Sequence, residues 1–248
     1  MFDLSKRVAL VTGAGRGVGV GIARALAAQG ARVAVNDLHG ERAEHTVSAI
    51  RAQGGTALAV PFDVTERAAV DAGVARIAGE LGAVDVLVNN AGVPERMEVA
   101  QFLDLDPATW RTYVDLNLYG VLNCTKAVVG GMCERGFGRI ITISSAAGQT
   151  GIPLGISLYG AGKGGAISFM RHLAVEVAAR GVTANTLALG LMTSVGVGPE
   201  TARLARAIPV GRTGTPEDVG AAIVYLASDE ASWMTGQTIG LNGGSVTT

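Results

Sequence analysis

Tyr159 and Lys163 stand four residues apart in a stretch patterned as a helix, so their side chains share one face. The other tyrosines, at 113, 119 and 225, have Asn117, Asn123 and Asp229 four residues on, so Tyr159 alone has a cation there. A phenol needs its pKa of about 10 lowered by about 3 units, roughly 4 kcal/mol, to trade protons near neutral pH. An ammonium about 4 Å away supplies about that much at an effective dielectric near 20. Lys163 could therefore make Tyr159 a general acid/base for an alcohol or ketone oxygen. On spacing alone, an idle surface pair is the ordinary reading, and the surrounding motifs have to decide.

Two further polar groups could join them. A hydroxyl at the end of the strand Ile143-Ser144-Ser145 would point into a groove and steady charge on a substrate oxygen. Ser145 is the candidate and Ser144 the alternative. Asn117, in Leu116-Asn117-Leu118, lies in a long apolar helical pattern where a buried amide must have its groups satisfied. A plain structural amide there is compatible with a functional one.

These residues need elements to hold them. Short β-branched runs at 7–12, 31–36, 57–61, 84–89, 139–144 and 182–187, with a weaker one at 237–241, read as strands. Helical patterns separate them at 18–29, 41–53, 66–80, 107–134, 157–179 and 216–227. Strand, helix, strand repeated this way predicts a parallel sheet, and the unbroken apolar runs predict helices over both faces. The expected fold is α/β: a Rossmann-like, doubly wound, mostly parallel sheet of seven strands, with residues 1–248 as one domain.

Behind the first strand comes Thr12-Gly13-Ala14-Gly15-Arg16-Gly17-Val18-Gly19, followed at once by a helix. Glycines there permit positive φ and close backbone approach, and the helix start offers free N–H groups to a pyrophosphate. The second strand ends in Val35-Asn36-Asp37, where a carboxylate can hold the adenosine ribose hydroxyls. A 2′-phosphate about 4 Å from that carboxylate would cost on the order of 4 kcal/mol per unit charge. Asp37 thus predicts NAD over NADP. Arg16 offsets part of the cost, which leaves NADP possible.

Composition narrows the partners. Twenty basic and 21 acidic side chains give a net charge of -1, so no field gathers nucleic acid or an anionic membrane. A small molecule is expected, and no metal. Cys124 and Cys133, nine residues apart in one predicted helix, are roughly 13 Å apart and read as reduced thiols. No stretch nears the ~18 to 20 apolar residues of a membrane span. A cytoplasmic protein is expected.

In its motifs the chain resembles the short-chain dehydrogenase/reductase family over essentially its whole length. The cradle at 12–19, Asp63-Val64, Asn89-Asn90-Ala91-Gly92, Tyr159-x-x-x-Lys163, and Gly236-Gln237 with Gly243-Gly244 carry the resemblance in order and spacing. It implies a hydride exchanged between a nicotinamide and an alcohol or ketone. Asp63 and Val64 would meet the adenine. Asn90, Ala91 and Gly92 would line the groove, with Gly190 and Thr193 near the nicotinamide carboxamide. Lys163 would also hold the nicotinamide ribose, and Asn117 a water that relays protons to it. Asn89 is expected to be structural, tying the strand end to nearby backbone.

Two departures stand out. The family's serine usually lies thirteen residues before its tyrosine; here that slot is Ala146. Ser145, fourteen before, fits the Ser-x-x-Gly pattern with one extra residue between Gly151 and Leu158. Leu189 replaces the proline usual before Gly190, restoring an N–H and loosening φ.

The expected substrate walls, 93–97, 152–158 and 191–197, are mostly apolar and point to a hydrophobic secondary alcohol or ketone. The alternative is a 3-oxoacyl-thioester reductase, against which Asp37 and Val175 weigh. A nucleotide-binding protein without chemistry is the remote third, opposed by the intact Asn117, Ser145, Tyr159 and Lys163. The resemblance also implies a homotetramer built on helices 107–134 and 157–179. Val114, Val121, Val128, Ile167, Phe169 and Leu173 exceed what one sheet face needs.

Overall fold

The computed structural model describes residues 1–94, 97–193, 203 and 205–247. Seven strands form one sheet: β1 (Val8–Val11), β2 (Arg32–Val35), β3 (Thr56–Ala59), β4 (Val86–Asn89), β5 (Gly138–Ser145), β6 (Val182–Leu189) and β7 (Thr238–Leu241). Their order is β3-β2-β1-β4-β5-β6-β7, and every pairing is parallel. The doubly wound expectation holds. The order reverses between β1 and β4, which opens a crevice at their carboxyl ends.

Alternation along β1 shows how both faces are covered. Ala9 and Val11 join a core with α1 (Gly17–Ala28) and α2 (Gly40–Arg51). Val8 and Leu10 join another with α3 (Arg67–Glu80), α5 (Gly120–Arg135) and α6 (Ser157–Val177). The helix over Pro216–Ala227, α7 here, returns to the first face. It starts where predicted because Thr215 and Asp218 form a reciprocal cap with Pro216 at the first position.

The expected single helix over 107–134 is broken. Pro107–Thr109 is a 3-10 turn, α4 spans only Trp110–Val114, and Asp115–Tyr119 is a π turn before α5 begins. The Gly120 N–H reaches back five residues to the Asp115 carbonyl. Such turns insert a residue into a helix, and they recur at functional sites. β5 and β6 also run past their expected ends, to Ser145 and Leu189. Leu189 pairs with Ser145 on one side and Leu241 on the other, so the departure from proline appears as continued ladder.

Four of the six apolar residues taken as surplus are core: Val121, Val128, Ile167 and Leu173 are buried within the chain. Val128 and Leu173 join the core on that face of the sheet, and all four, buried within one chain, carry no argument for pairing with a second copy. Cys124 and Cys133 are unpaired thiols on α5. Among the described residues, no helix is long and apolar enough to cross a membrane.

Candidate active site

The cradle lies just past β1. Gly13 and Gly17 have φ of +60° and +54°, and α1 begins with no side-chain cap and no acidic residue in its first turn. Its open N–H groups suit a pyrophosphate. The Thr12 hydroxyl accepts from the N–H groups of Asn90 (3.0 Å) and Ala91 (3.1 Å). The Asn90 amide donates to the carbonyls of Thr12 (2.8 Å) and Gly13 (3.0 Å). Asn90 thus braces the loop past β4 against the cradle. Asn89 ties its strand end to the Thr125 and Thr142 hydroxyls at 3.3 Å, side chains where backbone was expected.

Asp37 is held on both sides: Oδ2 accepts from Gly15 N–H (3.1 Å) and Oδ1 from His39 N–H (3.0 Å). Arg16, expected to moderate its charge, instead donates to the Val93 carbonyl at 2.9 Å. At the end of β3, Asp63 accepts from the N–H and hydroxyl of Thr65, both at 2.8 Å. Val64 is buried there, its carbonyl bonded to Asn123 at 3.0 Å.

The reactive cluster sits where β4, β5, the π turn and α6 converge. Lys163 is buried, with Nζ donating to the Ile143 carbonyl at 2.7 Å. Asn117, on the π turn, donates from Nδ2 to the Tyr113 carbonyl at 3.0 Å. Its Oδ1 is buried with no hydrogen-bond partner. Both groups face Gly92, where a Cβ would come within 2.4 Å of Lys163 Nζ and 2.8 Å of Asn117 Oδ1. A side chain at position 92 would fill the only ground the two share there. The resemblance put a relay between these residues, and the structure brings them to one small space.

The serine alternatives separate cleanly. Ser144 Oγ donates to the Lys163 carbonyl at 3.2 Å, away from the phenol. Ser145 Oγ accepts from Ala147 N–H at 3.2 Å and lies beside the Tyr159 phenol.

The charge argument for Tyr159 needs correction. Burial pushes its phenol up, and the hydrogen bond with Ser145 opposes that rise. Lys163 Nζ lies 5.8 Å from the Tyr159 ring centre. Burial also pushes the lysine down, to about 8. The ammonium is thus less securely charged than the four-residue spacing implied.

The segment expected to hold the extra residue, between Gly151 and Leu158, follows β5 and leads into α6. Gly155 adopts φ +64° and its carbonyl accepts the Ala100 N–H at 3.1 Å, clamping that loop to the segment past β4. Tyr113 adds a second clamp, its hydroxyl accepting Glu98 N–H at 2.9 Å. Glu98, Leu105, Tyr113, Ile156, Leu158 and Tyr159 line the small cavity between. Past β6, Gly190 N–H bonds the Leu241 carbonyl at 3.0 Å. Thr193 is exposed, its hydroxyl donating to the Gly214 carbonyl at 2.8 Å beside Thr213 at 2.9 Å. Residues 95, 96 and 194–197 of the expected walls lie outside the described residues.

Sequence reasoning missed Asn36. It is buried and donates to the Val60 and Phe62 carbonyls at 3.1 and 2.9 Å, joining the ends of β2 and β3. An amide closing an apolar strand was the available signal. Among the described residues, no group of three or more His, Cys, Asp or Glu could hold a metal.

A phosphate cradle at the switch point and a Tyr-Ser-Lys-Asn cluster beside it define an NAD(P)-dependent oxidoreductase of α/β type. A family model described as enoyl-(acyl carrier protein) reductase matches residues 13–246, and the chain belongs to the short-chain dehydrogenase/reductase family. It is 41% identical to an acetoacetyl-CoA reductase of Shinella zoogloeoides, over 96% of this chain and 98% of the relative. It is 38% identical to the 3-oxoacyl-(acyl-carrier-protein) reductase of Escherichia coli K12, over 96% of each. A gluconate 5-dehydrogenase structure from Burkholderia cenocepacia J2315, in complex with NADP and tartrate, superposes with TM-score 0.90 at 34% identity. That match covers 98% of this chain and 97% of the other. The chain acts on an alcohol or ketone with a nicotinamide cofactor.

Proposed function

We propose that the chain interconverts a hydrophobic secondary alcohol and its ketone using NAD(H), with Tyr159 as general acid/base. The observation that carries this reading is the convergence of the buried Lys163 Nζ and the unpartnered Asn117 Oδ1 on Gly92, with Ser145 and Tyr159 beside them at the carboxyl edge of the sheet. Tyr159 passes the proton to or from the substrate oxygen, while Ser145 holds that oxygen in line. Lys163 Nζ and the unpartnered Asn117 Oδ1 give the proton a path inward past Gly92. When bound, the nicotinamide supplies or accepts the hydride. Gly13, Gly15, Gly17, Val18 and Gly19 would hold its pyrophosphate, Asp37 the adenosine ribose, and Thr193 the carboxamide.

The names of the relatives favour a second reading, reduction of a short 3-oxoacyl thioester. Against a carrier-protein substrate, segments 97–105 and 150–158 carry Glu98 and Asp104 but no Lys or Arg. Purified protein should reduce NAD with simple secondary alcohols, read as absorbance of the reduced cofactor. Activity with acetoacetyl-CoA and none with the alcohols would replace the first reading by the second.

NAD preference is supported by the held Asp37 carboxylate. Asp37→Ser should shift the ratio of kcat/KM toward NADP by at least tenfold, since about 4 kcal/mol per unit charge of repulsion is removed. Better turnover with NADP in the unmodified protein would sink this claim. We also place the protein in the cytoplasm as a homotetramer. Support comes from apolar side chains left bare on the helices, Tyr119 at 53% and Val175 at 82% exposure. A monomeric mass at micromolar concentration by light scattering would rule the oligomer out.

A further inference from the structure

We propose that Gly15 determines cofactor specificity without touching the ribose, by leaving the space in which Asp37 is locked. This rests on the reading above that a nicotinamide dinucleotide places its adenosine ribose at Asp37.

Asp37 is 5% exposed and its two carboxylate oxygens are fixed from opposite sides, by the Gly15 and His39 N–H groups. A carboxylate held at two points is pre-organised for a ribose diol, and it cannot turn aside to admit a 2′-phosphate. Gly15 supplies one of those points and also the room. A Cβ on it would lie 2.6 Å from Asp37 Oδ2, 2.9 Å from Cγ and 2.5 Å from Arg42 Cβ. Those distances are too short to survive: the carboxylate yields on one side, and on the other, because Arg42 Cβ is fixed to the α2 backbone, the cradle backbone at position 15 must draw back as well. Gly13 is different. A Cβ there would meet Ala91 on the opposite wall, with Asp37 not among its near neighbours. Selectivity against a 2′-phosphate therefore depends on the missing side chain at position 15 as well as on the acid at position 37.

The test is a double-mutant cycle on binding, read from NADH and NADPH fluorescence in the wild type, Gly15→Ala, Asp37→Ala and the double variant. Gly15→Ala should cut the ratio of NADPH to NADH dissociation constants about tenfold, the change expected when a carboxylate backs away from a phosphate by about 1 Å. In the Asp37→Ala background the same substitution should leave the ratio unchanged. A general disturbance of the cradle would weaken both cofactors alike, or change the ratio equally in both backgrounds, and either result overturns the proposal. If Gly15→Ala does not fold, His39→Pro compared with His39→Ala removes the other N–H without crowding the cradle. Only His39→Pro should then lower the ratio, and equal ratios in the two would also overturn it. A wild type that binds neither cofactor would instead overturn the functional reading.

Discussion

Tyr159→Phe should lower turnover by at least ~10²-fold while NADH binding stays within about twofold, the loss expected when a positioned general acid/base is removed. The ring stays in place and only the phenol oxygen is lost. Ser145 keeps its contact with the Ala147 N–H, so the loop should hold its shape. In the unmodified protein, alcohol oxidation should rise with pH through one apparent ionisation below the free phenol value of about 10. Burial has pushed Lys163 down to about 8 and Tyr159 upward, so the lysine is the first of the pair to give up its proton. The step belongs to the coupled pair and reports neither group alone. Steady-state rates and a fluorescence titration check both parts. If the variant kept more than about a hundredth of wild-type turnover, the acid–base role could not belong to Tyr159.

Lys163→Met should move activity and stability in opposite directions. Turnover should fall by ~10²-fold or more, because the group facing Asn117 and the phenol is lost. The cofactor-free protein should become more stable at pH 7. The lysine falls from an ordinary 10.5 to about 8 on folding, so keeping it charged in the interior costs roughly 3 kcal/mol below pH 8. Methionine removes that cost and leaves the Ile143 carbonyl unpaired, at about 1 kcal/mol. The net gain is on the order of 2 kcal/mol. Its pH dependence follows from proton counting: between pH 8 and 10.5 the unfolded chain binds the extra proton, so wild-type stability climbs with pH. The advantage of methionine should therefore be greatest below pH 8 and should be gone above 10.5. Urea unfolding at pH 7 and 10 measures it. A variant less stable than wild type at pH 7 would show that the lysine is better accommodated than its burial implies.

Much of this was legible because the signals were local. The cradle needs glycines immediately behind a strand, and the sheet needs uninterrupted apolar runs, so both can be read within a few residues. The choice of Ser145 over Ser144 needed the Ser-x-x-Gly pattern, since alternation says only that one of two adjacent hydroxyls at a strand end can face the groove. Quantities set by depth were not. Four residues of spacing place Tyr159 and Lys163 on one face, but spacing cannot show that the ammonium turns to the Ile143 carbonyl. Nor can composition show that Val121 and Val128 are buried within the chain itself. Cross-links such as Asn36 to Val60, or Ala100 to Gly155, join loops far apart in sequence. The π turn did leave a trace. Residues 113, 117, 121 and 125 are all buried, a repeat of four, where an α-helix returns every ~3.6 residues.

That turn also says how this chain could lose its chemistry. Taken as a one-residue insertion, it is reversible by deleting a single codon anywhere in 115–119. The deletion would let a regular helix run from Trp110 to Arg135, with better backbone geometry than the present chain has. It would also swing the position of Asn117 by about 100° around the helix axis, away from Lys163. A regular helix over 110–135 would thus come at the expense of the place Asn117 holds beside Lys163 at Gly92.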